Sequence, residues 1–411
     1  MENTSSFLYS ISFFNTFYSN IENSHSLSKP TMILSKSNES MKNTHKYENF
    51  GITTGSLSTA TALVALKSLL LKHDNKKTIK SINSIKSILI SSPYGKIDIK
   101  ISEINILDKK TATASGFKYP YNDPDITVNH EIIAKVQIID YDEKINGKKQ
   151  ERVVVAGGKG VGTVTKKGLQ IPVGQSAINP VPLQMIKENL SKILPENKIA
   201  KVEIIVPDGE KIAKKTMNPR LGIVGGISIL GTTGIAKSFH EESWKKSLIC
   251  QLDIGVAGNF ENLVFVPGNI GEKYALENLN IKKEQIIQMG NFVGFMFEEA
   301  KKRGIKKLIL FGHIGKLVKI AGGIFNTANK IADGRKEIIT CHASLLGAKT
   351  QTLKKLFKSK TTEDMLTILK EENIKNEVLN SISKEIITII KNKYQIEVEL
   401  ILINMKGKKL N

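Results

Sequence analysis

Cysteine is nearly absent from this chain of 411 residues, since only Cys250 and Cys341 occur and they lie far apart. Two cysteines without a partner pattern exclude a disulfide framework and a cysteine-based zinc site. Aromatic residues make up only 6% of the chain, which argues against a surface that binds nucleic acid by stacking bases. No stretch approaches about 18 apolar residues without a charge or a polar break, so the sequence predicts no membrane span.

Arginine is also scarce. The formal net charge is +21 and there are 60 basic residues, but the only arginines are Arg152, Arg220, Arg303 and Arg335. Because the lysines are spread along the chain without a dense run, the charge favours small polyanionic ligands over nucleic acid. A guanidinium binds carboxylate or phosphate with two parallel hydrogen bonds. Arg220 and Arg335, which lie near glycine-rich segments, are therefore candidates for such binding, whereas we interpret Arg303 as part of a helix end.

The length and the 40% hydrophobic content allow two or three domains. Residues 1–49 are rich in serine and asparagine and contain no glycine, which predicts a poorly ordered extension. We predict an N-terminal α+β domain with a mixed sheet and helices over residues 50–200. Beyond it the strand, turn and helix patterns alternate, which predicts a C-terminal α/β domain over residues 201–411. The sequence leaves the boundary loose and allows the two domains to interleave.

The segment 218–234 carries the strongest glycine signal, with five glycines around two short β-branched runs. We call it the anchor segment. It is typical of a strand that runs into a loop whose backbone another group approaches closely. That group can be a ligand, or the glycines can serve only a tight connection with positive φ, and the residue types favour neither. The spacing fits neither the dinucleotide-binding fingerprint nor the phosphate-binding loop.

Four smaller motifs allow a functional and a structural interpretation each. The hydroxyls of Thr53 and Thr54 precede an apolar helical pattern, where they can cap the helix or face an anion. Asp125 belongs to an Asp-Pro-Asp turn that can exchange a proton or serve only as a turn. The glycine-dense turn around Lys159 can bind an anion or form a plain hairpin. His313 and Lys316 follow a buried strand, and ligands of open α/β sheets bind where such strands end.

Seven segments, in their order along the chain, resemble the cobalt-precorrin-5B C1-methyltransferase family of anaerobic cobalamin biosynthesis, the CbiD family. They extend from about residue 50 to the later part of the chain, and the anchor segment is the most specific of them. Two positions depart from the family pattern, which usually has a cysteine where Leu57 stands and a histidine near Ala328. The segments are 51–55, 122–127, 160–165, 177–182, 218–234, 312–318 and 323–327.

The resemblance implies transfer of a methyl group from S-adenosyl-L-methionine to C1 of cobalt-precorrin-5B, giving cobalt-precorrin-6A. It implies a cytoplasmic enzyme, distinct from the standard Rossmann methyltransferases, whose partner is a small-molecule corrinoid rather than nucleic acid or a membrane. Cobalt would arrive only as part of the substrate, and no protein metal site is expected. A homo-oligomer is left open.

The resemblance also implies roles for individual residues. The base that takes the ring proton lost at C1 would be His313 or Asp125. For the methyl donor we expect contacts from Gly225, Gly226, Gly231, Thr232 and Thr233, with Asp253 or Asp208 on the ribose hydroxyls. For the substrate carboxylates we expect Arg220, Lys159 and Arg335, with Thr53, Thr54, Lys316 and Asn326 completing the substrate site.

Two other functions compete with this one. The chain could bind a corrinoid or another tetrapyrrole acid without turnover, in which case S-adenosyl-L-methionine would give no heat of binding. Charge alone would also suit a nucleic-acid-binding protein, which should then bind a heparin or DNA column in a salt-dependent way.

Overall fold

The computed structural model describes residues 50–73, 82, 84–121, 125–141, 151–237 and 241–411. The predicted extension over residues 1–49 and Asp123 of the Asp-Pro-Asp turn lie outside the described residues.

The first half of the described chain is built around one long helix. Helix α1 (Thr54–His73) follows strand β1 (Phe50–Ile52) and is surrounded by protein on most sides, because most of its residues are buried, its serines and threonines included. By length and composition its residues Thr54–Lys72 could cross a membrane, but 83% of that window is buried inside the protein. It is therefore a core helix here. The later elements of this half are β2 (Ser87–Ser92), β3 (Gly95–Lys100), β4 (Glu103–Ile106), β5 (Thr111–Phe117), β6 (Glu131–Asp140), β7 (Val153–Gly157), β8 (Gly160–Val161), β9 (Thr163–Val164), α2 (Pro180–Ser191), β10 (Lys198–Ile205), α3 (Gly209–Ala213), β11 (Ile223–Val224), β12 (Gly226–Ile227) and β13 (Ile235–Lys237).

A five-stranded sheet in the order β4-β5-β6-β10-β7 supports helix α1. Its strands alternate buried and exposed residues, as in β6, because one face packs on the helix and the other meets solvent. Short strands of the anchor segment pair with the glycine-dense turn: β12 runs parallel to β8 and β11 antiparallel to β9. Strand β13 closes this half by pairing antiparallel with β1, from Phe50 against Lys237 to Ile52 against Ile235.

The second half is an open sheet with helices. Its four strands are all parallel and lie in the order β15-β14-β16-β17, so the first strand in sequence occupies an inner position between the second and the third. This is the order of flavodoxin-like doubly wound sheets and not that of the Rossmann fold. The elements are α4 (Glu241–Ala257), β14 (Val264–Val266), α5 (Asn269–Asn278), β15 (Ile286–Gln288), α6 (Val293–Lys302), β16 (Lys307–His313), α7 (Ile314–Ala321), α8 (Arg335–Leu345), α9 (Thr350–Lys358), α10 (Thr362–Glu371), α11 (Lys375–Tyr394) and β17 (Glu397–Ile403).

The two halves have separate hydrophobic cores. One core draws its residues from Ile52 to Ile235, and the larger core of the second half draws them from Leu248 to Leu402. The predicted boundary between residues 200 and 201 lies inside strand β10, which belongs to the first core together with the anchor segment. The predicted combination of a mixed sheet with helices and an alternating α/β part is confirmed as the fold class.

Candidate functional site

The glycines of the anchor segment mainly allow backbone to pack on backbone. A methyl group at Gly226 would collide with the carbonyl oxygen of Gly160, its partner in the pairing of β12 with β8. Gly160 has a φ of +76°, and a methyl group there would collide with the carbonyl oxygen of Val206. Gly226 is therefore needed by the fold, whereas exposed Gly225 has a φ of +81° and no described atom within 4 Å of the position of a Cβ.

Lys159 and Asp208 are brought to the same place by this packing. The Lys159 carbonyl accepts from the Val206 amide at 2.9 Å, and Asp208 follows two residues later. Both side chains are exposed, and Asp208 Oδ2 lies 3.3 Å from Nδ1 of His130. Two predicted site residues from distant segments therefore lie together near Gly226.

Thr53 caps helix α1, and Thr54 fastens the end of the anchor segment to it. Thr53 Oγ1 accepts from the Ser56 amide at 3.1 Å, as an N-cap does. Thr54 Oγ1 accepts from the Leu230 amide at 2.8 Å. A methyl group at Gly231 would collide with the Thr53 side chain. The capping interpretation thus accounts for the Thr53 hydroxyl and the contact with Leu230 accounts for that of Thr54, while Thr232 and Thr233 are exposed.

Asp125 lies in a dense polar cluster. It forms an ion pair with the buried Lys118 ammonium and accepts from Tyr121 Oη at 2.9 Å and from the Thr127 amide at 2.8 Å. Burial by itself raises the pKa of Asp125, but the Lys118 charge and the hydrogen bonds outweigh it and bring the pKa to about 2. The ring of Tyr121 packs on Gly51, which places the cluster next to strand β1. The carboxylate is therefore ionised, and both of its oxygens accept hydrogen bonds.

His313 ends strand β16 and begins helix α7. Its Nδ1 accepts from the Gly315 amide at 3.1 Å, so Nδ1 carries no proton in this cap. The other nitrogen, Nε2, lies 3.2 Å from Oε1 of Glu363. Both ring nitrogens are therefore occupied, and a base role would require the cap to open.

Two lysines of helix α7 hold the following loop onto the carboxyl end of the parallel sheet. Lys316 Nζ donates to Asn291 Oδ1 at 2.8 Å and to the Thr327 carbonyl at 3.3 Å. Lys319, whose side chain is 0% exposed, donates to the Thr327 carbonyl at 3.2 Å, and to Asn329 Oδ1 and the Ala332 carbonyl at 2.8 Å each. Burial lowers the pKa of both lysines, and the nearby Arg335 charge lowers them further.

Arg335 and Asn326 complete this group. Arg335 forms a two-pronged ion pair with Asp333, with Nη2 2.7 Å from Oδ2. Asn326 bridges to Phe292 through the backbone, and its Oδ1 accepts from the Ala328 amide at 3.2 Å. The structure thus brings Lys316, Asn326 and Arg335 together beyond the ends of β15 and β16, and His313 precedes Lys316 by about one helical turn. We call these four residues the cationic edge.

Arg220 joins the two halves of the molecule. Its guanidinium forms an ion pair with Glu272 in the first turn of α5, and Nη1 lies 3.3 Å from Gln251 Oε1. Gln288, the last residue of β15, donates through Nε2 to Glu272 Oε2 at 2.7 Å and to Asn269 Oδ1 at 2.8 Å. The anchor segment is therefore linked to the carboxyl end of the parallel sheet by a buried polar network.

Asp253 lies apart from the other predicted site residues. Its Oδ1 accepts from Arg303 Nε at 2.6 Å, and Arg303 also holds Glu299 Oε2 at 2.6 Å. Arg303 thus has a clear structural task in tying helix α4 to α6, where the sequence indicated only a helix end. Among the described residues, no group of three or more His, Cys, Asp or Glu side chains is placed to hold a metal ion.

Three residues of the second half lie near these groups but are not among the site residues predicted from the sequence. Lys319 has a detectable signal, because a lysine between Val318 and Ile320 interrupts the apolar pattern of α7. Gln288 and Gly268 have none, because Gln288 ends an ordinary buried strand and Gly268 resembles any glycine of a Pro-Gly-Asn turn. Only the strand order shows that both lie at the same sheet end.

An α+β protein whose close-packed glycine segment is linked through Arg220 to the carboxyl end of an open parallel sheet is the class that fold and site define. Two family models match the chain, one that ends where the first half ends and one that lies within the second half. The family model described as CbiD matches residues 41–238, and the model described as CbiD, C-terminal domain matches residues 326–411.

Curated relatives are similar over almost their whole length. The chain is 53% identical over 365 residues to the cobalt-precorrin-5B C(1)-methyltransferase of Methanobrevibacter smithii, covering 89% of this chain and 97% of the relative. It is 45% identical to the protein of the same name from Methanosphaera stadtmanae, covering 87% and 90%. The chain belongs to the CbiD family. A crystal structure of the cobalamin biosynthesis protein cbiD from Archaeoglobus fulgidus is 26% identical, covers 70% of this chain and 84% of that chain, and has a TM-score of 0.35.

Proposed function

We propose that this protein methylates C1 of cobalt-precorrin-5B with S-adenosyl-L-methionine, yielding cobalt-precorrin-6A and S-adenosylhomocysteine. The observation that carries the proposal is the 53% identity, over 89% of the chain, to a relative named as this C(1)-methyltransferase. The cobalt is part of the substrate, so the reaction requires no metal ion bound by the protein's own side chains.

The cationic edge supports binding of a corrinoid, whose rim carries acetate and propionate groups. Lys316 and Arg335 are close enough for the Arg335 charge to lower the pKa of Lys316, so an incoming carboxylate would relieve their repulsion. Asn326 would add a hydrogen-bonding amide at the same place. Arg220 and Lys159 stay predictions as carboxylate ligands, and Arg220 would first have to release Glu272.

The sulfonium donor supplies a methyl group that leaves with its bond electrons remaining on sulfur. Such an in-line displacement depends mostly on orientation and exclusion of water, which a protein supplies without a reactive side chain. Asp125 would be a weak proton acceptor at neutral pH, because its pKa is about 2. His313 would have to break its cap. We therefore expect the proton released at C1 to pass to solvent, and His313 and Asp125 stay predictions as bases.

The test is incubation of the full chain with cobalt-precorrin-5B and S-adenosyl-L-methionine carrying a labelled methyl group. The expected result is a pigment whose mass rises by one labelled methyl, with an equal amount of S-adenosylhomocysteine. Binding of the pigment without methylation, and without heat on adding the donor, would instead favour the non-catalytic corrinoid-binding protein. A cytoplasmic location and a homo-oligomer stay predictions.

A further inference from the structure

The parallel sheet contains a topological switch point. The chain leaves β14 through α5 to β15 on one side, and then crosses through α6 to β16 on the other side of β14. In open α/β sheets the crevice outside the carboxyl ends of two such strands is the place where ligands bind. Here that place lies between the turn after Val266 and the turn after Gly312. We call it the switch crevice.

The two turns touch each other at the switch crevice. A methyl group at Gly312 would lie 2.6 Å from Cδ of Pro267, so Gly312 is needed for the turns to pack. Gly271, in the first turn of α5, would bring a methyl group within 3.1 Å of Val266 Cβ. Packing therefore explains both of these glycines.

Gly268 has no such explanation. Its φ of 167° is extended backbone that any residue adopts, and no described atom lies within 4 Å of the position of a Cβ. Six described glycines have this open space, but the other five all have a positive φ, which favours glycine. These five are Gly174, Gly225, Gly304, Gly323 and Gly347. Of these six glycines, only Gly268 has neither a packing reason nor a backbone reason for lacking a side chain.

Polar groups border this room. Asn269 follows Gly268 directly, and its side chain is oriented by the hydrogen bond from Gln288. On the β15 side of Asn269, Gln251 is only 4% exposed and lines a small cavity with Arg220 and Glu284, and its Nε2 has no hydrogen-bond partner among the described residues. The carboxamide of Gln251 is fixed through Oε1, which accepts from the Gln288 amide at 3.4 Å and from Arg220. A buried amide donor left unused is uncommon in folded proteins and indicates a polar ligand or water nearby.

We propose that the switch crevice at Gly268 binds the methyl donor, a sulfonium nucleoside with an amino-acid tail. This inference rests on the proposed function. The missing side chain of Gly268 lets the nucleoside approach the backbone, and Asn269 and the amides of the first turn of α5 face its polar groups. The cationic edge follows β16 at the same end of the sheet, so donor and acceptor would meet there. The anchor segment then serves chiefly as the support that Arg220 fastens to α5.

The experiment is titration calorimetry of the full chain with S-adenosylhomocysteine, comparing the wild type with Gly268→Val and Gly268→Ala. We expect Gly268→Val to weaken binding about tenfold or more, which is about 1.4 kcal/mol, and Gly268→Ala to weaken it less. Binding of the corrinoid, followed by its absorption spectrum, should not change. The urea midpoint should also stay unchanged, because the valine meets open space.

A variant of the rival site adds bulk at Thr232, which the family resemblance implies as a donor contact in the anchor segment. Thr232→Leu, at an exposed site, should leave S-adenosylhomocysteine binding intact. Unchanged binding in Gly268→Val would overturn the inference and leave the proposed function standing, and weakened binding in Thr232→Leu would return the donor to the anchor segment. A wild type that binds the corrinoid but no donor would overturn both.

Discussion

The anchor segment and the switch crevice are both rich in glycine, but their glycines do different things. At Gly226 the missing side chain is filled by the backbone of Gly160, whereas at Gly268 it is filled by no described atom. The segment with the stronger sequence signal is thus the one that the protein uses for its own packing. Glycine density in a sequence indicates close approach, and only the structure says whether the approaching group is the chain itself or something else.

The largest effect is expected from comparing the stabilities of two alanine variants, one at Gly226 and one at Gly268. Gly226→Ala should lower the free energy of unfolding by about 3 kcal/mol or more, because its methyl group meets immobile backbone. Gly268→Ala should leave it unchanged or raise it by about 0.5–1 kcal/mol, since the unfolded chain loses freedom. Urea unfolding measures both, and equal losses would mean that the two glycines are alike after all.

A second effect concerns the loop between α7 and α8, which carries Asn326 of the cationic edge. Lys319→Met removes the donor from three acceptors and should cost about 2–3 kcal/mol in urea unfolding. It should also speed amide exchange over residues 327–333. Lys330→Met, at an exposed position of the same loop, is the matched control and should change little. If the two variants were equally stable, Lys319 would not hold the loop.

The first half should show a stability loss in acid. The pKa of Asp125 is lowered to about 2 by Lys118 and its hydrogen bonds, against about 3.9 in an unfolded chain. Its contribution is therefore fully present above about pH 4 and is lost as the pH falls towards 2, and it amounts to about 2 kcal/mol. The difference in unfolding free energy between wild type and Asp125→Asn should shrink over this window. A difference that stays constant from pH 5 to pH 2 would contradict this assignment.

The smallest expected effect lies between the two halves. In a double-mutant cycle with Arg220→Met and Glu272→Gln we expect a coupling of about 1 kcal/mol, because both side chains are mostly shielded. The exposed pair Lys187 and Glu151 should give about 0.5 kcal/mol or less. Equal couplings would show that the polar network adds nothing to the link between the anchor segment and α5.

Much of the fold follows from the sequence, and less of the site does. The apolar pattern from Leu57 to Leu71 predicts helix α1, and the alternation around Ile132 to Ile139 predicts strand β6. Strand order does not follow from such local patterns, because it depends on which segments meet far along the chain. The grouping of Lys159 with Asp208 could for that reason not be predicted, nor could the pairing of Asp253 with Arg303, whereas the common site of Lys316 and Arg335 is expected only through the family resemblance.

The pairing of β1 with β13 has a consequence for biosynthesis. Strand β1 is made early, but its partner Ile235–Lys237 leaves the ribosome only after the whole first half has been translated. At roughly 5–20 residues per second, β1 and the cap of α1 wait unpaired for tens of seconds. The capped end of α1 is therefore completed last, although the body of the helix can already pack on β4, β5 and β6, which leave the ribosome long before β13.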